Sequence, residues 1–318
     1  MKPDAKWAER NVKVNLSLLS AMWGPDCSAF ALRTSCDWNS WVFLFDDQFD
    51  EGPLVTDLDA AEKEIEKTRE IMNGTGPRYT PKTGPLYYVF QTVCDRIKES
   101  PEGYFTGKPS SENLLRRWRW SHELYFDGLI KQVRSNVEGR VFTQDLDQSL
   151  NIRRANIAAY PAIVLHEWAD GIDLPASVAA HPSILTCMNF ASEHCFIAND
   201  VYSYKKDLRL GVDHNLISFL IKSQRLSTQQ AMDKLGELAN DCYRSWYRAL
   251  AELPSYGEET DRVVLRFLDI CRNVALGNAH WGFASGRYLG KEGPEVRKTR
   301  KMYLPKDLTT LRGTEVIN

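Results

Sequence analysis

The chain has 318 residues, 43% hydrophobic and 26% charged, with a formal net charge of -2. That is the profile of a globular protein, and the near-neutral charge gives no reason to expect a nucleic-acid or anionic-membrane partner. The longest apolar runs, such as SWVFLF and LISFLI, fall far short of a membrane span.

The opening MKPDAKWAERNVKV lacks the apolar core and cleavage site of a secretory signal. Seven dispersed cysteines without a CxxC pair suggest neither a disulfide framework nor a zinc site. A cytoplasmic protein acting on something small is expected.

Apolar residues recur at spacings of three and four over 8–23, 28–47, 57–73, 85–99, 111–137, 146–170, 183–208, 228–252 and 259–288. No alternating or β-branched stretch competes, so the fold class is all-α. Breakers fall at 73–85, 106–113, 173–183 and 211–215. None is long or biased enough for an interdomain linker, and no internal repeat is present. The expectation is a single domain over 1–318, an antiparallel helical bundle around a central cavity, since bundle interiors are where such folds place metals and ligands.

The first polar anomaly closes the second helix, where WVFLFDDQFDEG drives four carboxylates onto the end of an apolar segment. With 28–50 helical, Asp46 and Asp50 share one face about 6 Å apart along the axis, while Asp47 is turned roughly 100° away. Like charges on one face repel unless a cation lies between them, and oxygen ligands at this spacing suit magnesium. The bland alternative is a solvated helix end, although carboxylates there oppose the helix dipole. The ligand order of an EF-hand is absent.

The second anomaly is NDVYSYKKD, 199–207. Asn199, Ser203 and Asp207 stand at i, i+4 and i+8, forming a slowly winding stripe about 12 Å long of amide, hydroxyl and carboxylate oxygens. Such spacing also arises by chance on exposed faces. The preceding ILTCMNFASEHCFIA is apolar enough to be buried, however, and Asn and Ser are mediocre helix formers. Lys206 adds a cation suited to the anion that bound metals would hold.

Together, DDQFD and NDVYSYKKD resemble the paired metal motifs of class I terpene synthases, and NAHWGFASGRY, 278–288, resembles that family's N-x-x-W…S-x-R-Y signature. LNIRRANIA resembles the region of its diphosphate-sensing arginine, which falls on Arg153. Here Asn156 stands where relatives have Thr and Ala158 where they have Gly, and Asp207 replaces the commoner Glu. Similarity to fungal cyclases continues through 213–233. Chain-elongating prenyl synthases carry a second DDxxD in place of NDVYSYKKD, so the resemblance favours cyclisation.

The resemblance implies a sesquiterpene cyclase that ionises farnesyl diphosphate with three magnesium ions. Asp46 and Asp50 would hold one side of the metal cluster and Asn199, Ser203 and Asp207 the other. Arg153, Lys206, Arg287 and Tyr288 would donate to the diphosphate oxygens, with Asn156 beside them. Val42 and Phe43, one or more turns before Asp46, would line the hydrocarbon pocket. Trp281 is a wall candidate from the motif, and Trp118, Trp120, Tyr160 and Phe196 are further ones for which core packing is the alternative. The basic segment after Tyr288 is either a cover for the diphosphate or a solvated tail. The alternatives carried are a diterpene cyclase on geranylgeranyl diphosphate, a noncatalytic isoprenoid-binding helical protein, and a diphosphohydrolase. A monomer or homodimer is expected.

Overall fold

Helices form where the three-and-four spacing runs, and most begin where a short polar side chain can accept a free backbone N–H. The structure, a computed structural model, describes residues 11–99, 110–143 and 145–304. In order, the elements are α1 (Leu16–Trp23), α2 (Ala29–Asp50), α3 (Leu58–Asn73), α4 (Pro85–Glu99), α5 (Glu112–Val137), α6 (Leu146–Asn156) and α7 (Ala159–Ala169). Then come α8 (Ala176–Ala179), α9 (Pro182–Leu210), α10 (Leu216–Gln224), α11 (Thr228–Ala251), α12 (Glu258–Ala284), a 3-10 turn (Gly290–Glu292) and α13 (Gly293–Thr299). Among the described residues there is no strand, so the all-α expectation holds.

Ser28, Asp57, Ser111, Asp145, Asn215 and Ser227 cap α2, α3, α5, α6, α10 and α11, each accepting a first-turn N–H. Each such cap stabilises its helix by about 1 kcal/mol.

Four differences from the sequence reading have physical causes. The expected helix 146–170 is two helices, because Ala158 takes a left-handed φ of 59° between α6 and α7. Pro161 carried the signal: it lacks an N–H, and in a continuous helix its ring would press on the carbonyl four residues earlier. The first stretch is interrupted at Asn15, which is also left-handed (φ 55°) and caps α1. The break at 173–183 holds the single turn α8. Helix α12 stops at Ala284, leaving Arg287 and Tyr288 in the turn beyond it rather than on the helix. Residues 8–10, 106–109 and the basic segment beyond 304 lie outside the described residues.

Helix α9 packs chiefly against α11 and α12, α5 against α6 and α7, and α2 against α4 and α1. Two glycines permit close approaches between helices. A Cβ at Gly282 of α12 would sit 2.2 Å from the Tyr202 ring of α9, and one at Gly128 of α5 would sit 2.7 Å from the Asn156 backbone nitrogen. All eleven residues of α7 are buried. One apolar cluster runs from Leu19 of α1 to Leu289, with Trp38, Trp41, Phe45, Phe90 and Phe126 among its largest members. The seven cysteines are all free. Among the described residues, no helix is long and apolar enough to cross a membrane.

Candidate active site

Helix periodicity brings the polar stretches to one place. Asp46 and Asp50 from α2, Arg153 and Asn156 from α6, and Asn199, Ser203, Lys206 and Asp207 from α9 line a single cavity. Arg287 and Tyr288 from the turn after α12 line it too, as do Val42 and Phe43. The described cavity is about 90 Å³. That is well below the about 300–1,000 Å³ usual for small-molecule pockets, so a substrate must part groups that now hold one another.

Those groups form opposed pairs. Arg287 donates to Asp47 (2.6 Å), and Lys206 donates to Glu51. Arg153 donates to both carboxylate oxygens of buried Asp200, to Asn199 Oδ1 (3.3 Å) and to Asn156 Oδ1 (3.2 Å). Asn199 Nδ2 donates to the Tyr288 hydroxyl (3.1 Å), and Ser203 Oγ donates to Asp207 (2.6 Å). Asn215, the cap of α10, donates to the same Asp207 oxygen at 2.9 Å. Asp46 accepts from the Tyr125 hydroxyl (2.9 Å) and Asp50 from Gln132 Nε2 (2.6 Å).

The electrostatics follow from burial. Burial, then the charges of Asp50 and Asp47, push the Asp46 carboxyl well above the usual carboxylate range. Burial raises Asp50 against the Gln132 hydrogen bond, and raises Asp207 to about 6 against Lys206, Ser203 and Asn215. Carboxyls kept from ionising by burial, and at Asp46 also by neighbouring carboxylates, are suited to a dication, whose charge favours the ionised form.

Among the described residues, no three His, Cys, Asp or Glu side chains converge closely enough to hold a metal ion. The oxygen donors are instead mixed, with carboxylates on two walls beside amide and hydroxyl groups. That hard, oxygen-only set fits magnesium chemistry.

The aromatic wall differs from expectation. Trp281 is fully buried but does not line the cavity: it packs behind Phe43 and Tyr288, at ring-centroid distances of 5.3 and 5.7 Å. Its indole N–H donates to the Val14 and Asn15 carbonyls (2.9 and 3.1 Å), fastening the segment before α1 to α12. Trp118 and Phe196 are core residues, Trp120 is exposed at the surface, and the Tyr160 hydroxyl donates to Asn189. None of these four lines the cavity, which instead takes Trp23 and Trp38.

Trp281→Phe should therefore cost about 0.5–1.5 kcal/mol for the lost indole hydrogen bond, since the Val14 and Asn15 carbonyls keep Ser285 Oγ and the Leu18 N–H as donors. It should leave the product spectrum unchanged, as a denaturation curve and product chromatography would show.

Sequence reasoning missed Asp200, Tyr125, Gln132 and Asn215. Asp200 stood inside NDVYSYKKD but off the i, i+4, i+8 stripe. Asn215 stood inside the 213–233 resemblance without being singled out, and Tyr125 and Gln132 become visible only when α5 is packed beside α2.

The chain matches the family model described as terpene synthase family 2, C-terminal metal binding, over residues 37–245. It is 56% identical over 311 residues to the (1R,4R,5S)-(-)-guaia-6,10(14)-diene synthase of Fusarium proliferatum, covering 97% of this chain and 77% of that one. It is 55% identical, with the same coverage, to a protein of Gibberella fujikuroi named an inactive form of that synthase. The fold matches the linalool/nerolidol synthase of Streptomyces clavuligerus, with a TM-score of 0.74 at 22% identity over 88% of this chain and 92% of that one. Dependence on a divalent metal follows from the matched metal-binding domain. With two oxygen-donor motifs on facing helices and an arginine-tyrosine pair between them, the chain belongs to the class I terpene synthase family.

Proposed function

We propose that the protein is a magnesium-dependent sesquiterpene cyclase that breaks the allylic carbon–oxygen bond of farnesyl diphosphate. The resulting cation closes to a cyclic hydrocarbon or alcohol, and inorganic diphosphate is released. The supporting observation is that both oxygen-donor motifs and four diphosphate-competent donors, Arg153, Lys206, Arg287 and Tyr288, line one cavity that also takes Phe43, Trp23 and Trp38. The similarity to a guaiadiene synthase at 56% identity supports cyclisation of a sesquiterpene precursor.

In this reading Asp46 and Asp50 hold metal on one wall, and Asn199, Ser203 and Asp207 hold it on the other, with three ions in the loaded site. Magnesium, when bound, supplies Lewis-acid neutralisation of the leaving group. Arg153, Lys206 and Arg287 exchange their present carboxylate partners for diphosphate oxygens, and Tyr288 adds a phenolic donor. Phe43 and the two tryptophans present ring faces to the cation and exclude water that would quench it.

The test is incubation of the purified chain with geranyl, farnesyl and geranylgeranyl diphosphates, with magnesium or with EDTA, followed by gas chromatography and mass spectrometry. A cyclic C15 product formed only with magnesium is expected. A cyclic product from the C20 substrate alone would move the assignment to a diterpene cyclase. An acyclic alcohol alone would indicate a diphosphohydrolase. No product from folded protein would replace the proposal with a noncatalytic binding role, the outcome that the inactive relative makes worth testing.

A further inference from the structure

Between the two metal motifs runs a chain of side-chain hydrogen bonds whose middle member belongs to neither. Gln132 of α5 is 2% exposed. Its Nε2 donates to Asp50 Oδ1 (2.6 Å) and to the Phe49 carbonyl (3.3 Å), and its Oε1 accepts from Asn156 Nδ2. Asn156, 4% exposed, accepts in turn from Arg153 at Oδ1 (3.2 Å), and Arg153 reaches Asn199 Oδ1 (3.3 Å) on α9.

The direction of this relay is fixed from both ends. A backbone carbonyl only accepts, so the amide nitrogen of Gln132 must face Phe49 and, beside it, Asp50. Its oxygen then faces Asn156, which must present nitrogen to Gln132 and oxygen to Arg153. A guanidinium only donates, so the far end demands the same polarity. Two amides in series meet both requirements. Reversing either one sets donor against donor or acceptor against acceptor inside the protein, at about 1–3 kcal/mol for each group left unsatisfied.

We infer that Gln132 is a positioning residue that couples cation binding at Asp50 to the placement of Arg153 against diphosphate. The inference rests on the proposed roles of Asp50 and Arg153. By bonding Oδ1, Gln132 Nε2 holds the Asp50 carboxylate in place and presents its other oxygen to a dication. Any turn of the Gln132 amide is passed through Asn156 to Arg153, whose bonds to Asn199 and Asp200 compete with uptake of an anion. Metal and anion sites connected in this way favour each other reciprocally, since coupling between two binding equilibria is symmetric.

The test is calorimetric titration of the full chain with inorganic diphosphate over a series of magnesium concentrations. It compares wild type with Gln132→Met, Asn156→Ala and the double variant, each checked for folding by circular dichroism. In wild type, diphosphate affinity should rise with magnesium. In Gln132→Met, the magnesium concentration giving half-maximal diphosphate binding should rise about tenfold, while affinity at saturating magnesium falls less than threefold. Asn156→Ala should do the same, and the double variant should be no worse than either, because both cut one chain. Asn156→Ala alone carries the test if Gln132→Met does not fold.

An unchanged magnesium midpoint in both single variants would overturn the inference. So would a loss of affinity that is equal at every magnesium concentration, which is the mark of general damage. Wild-type protein whose diphosphate binding ignores magnesium would overturn the proposed metal and diphosphate roles, and this inference with them.

Discussion

Asn199→Ala and Ser203→Ala should each lower kcat/KM for farnesyl diphosphate by about 100-fold or more, the scale seen when a group acting at the developing charge of a leaving group is removed. The assay is steady-state turnover at saturating magnesium. Asn199 is bonded on both sides of its amide, accepting from Arg153 and donating to the Tyr288 hydroxyl, so alanine releases two diphosphate-directed groups as well as an oxygen donor. Ser203 holds Asp207 at 2.6 Å and is itself approached by Asn215 at 3.4 Å. Ser203 is buried and Asn199 is partly buried, so circular dichroism and a melting curve should confirm that each variant is folded at the assay temperature. Turnover near that of wild type in both variants would remove them from the proposed metal set.

Asp200→Ala should destabilise the protein by about 3–5 kcal/mol, because it leaves a buried guanidinium without its carboxylate. The Arg153 side chain is 12% exposed and Asp200 is 1% exposed, so water replaces the lost partner poorly. The variant also strips the Leu216 N–H of its acceptor at 2.7 Å, loosening the start of α10. Activity should fall as well, since Arg153 loses its reference position. The double variant Arg153→Met with Asp200→Leu separates the two effects: apolar packing in place of a buried pair should recover much of the stability while the enzyme stays inactive. Urea denaturation measures the first effect and turnover the second. A loss below about 1 kcal/mol in Asp200→Ala would mean that the pair is not structural.

What the sequence revealed depended on whether the signal was local. The carboxylates of α2 and the stripe on α9 are set by helix geometry alone, and spacing placed Asp46, Asp50, Asn199, Ser203 and Asp207 on their faces correctly enough to meet in one cavity. The break before α7 was local too, since Pro161 announced it, but the apolar periodicity of 146–170 outweighed the proline in the reading. Trp281 shows the opposite failure. A motif identified the residue, whereas its orientation toward Val14 and Asn15 depends on where the N-terminal segment crosses α12. Gln132 and Tyr125 were illegible for the same reason. Each is an ordinary helical residue until α5 is laid beside α2.

The pairing of charges around the cavity has a consequence for the order of encounter. Among the described residues that line the cavity or pair with its lining, Asp46, Asp47, Asp50, Glu51, Asp200 and Asp207 outnumber Arg153, Lys206 and Arg287, a formal excess of negative charge that survives if Asp46 holds its proton. A free trianion diffusing toward this mouth is repelled, whereas a dication is drawn in. Over distances beyond about 10 Å, added salt screens both effects. Under the proposed function, arrival of metal before or with the anion is thereby favoured, and ionic strength tunes that preference.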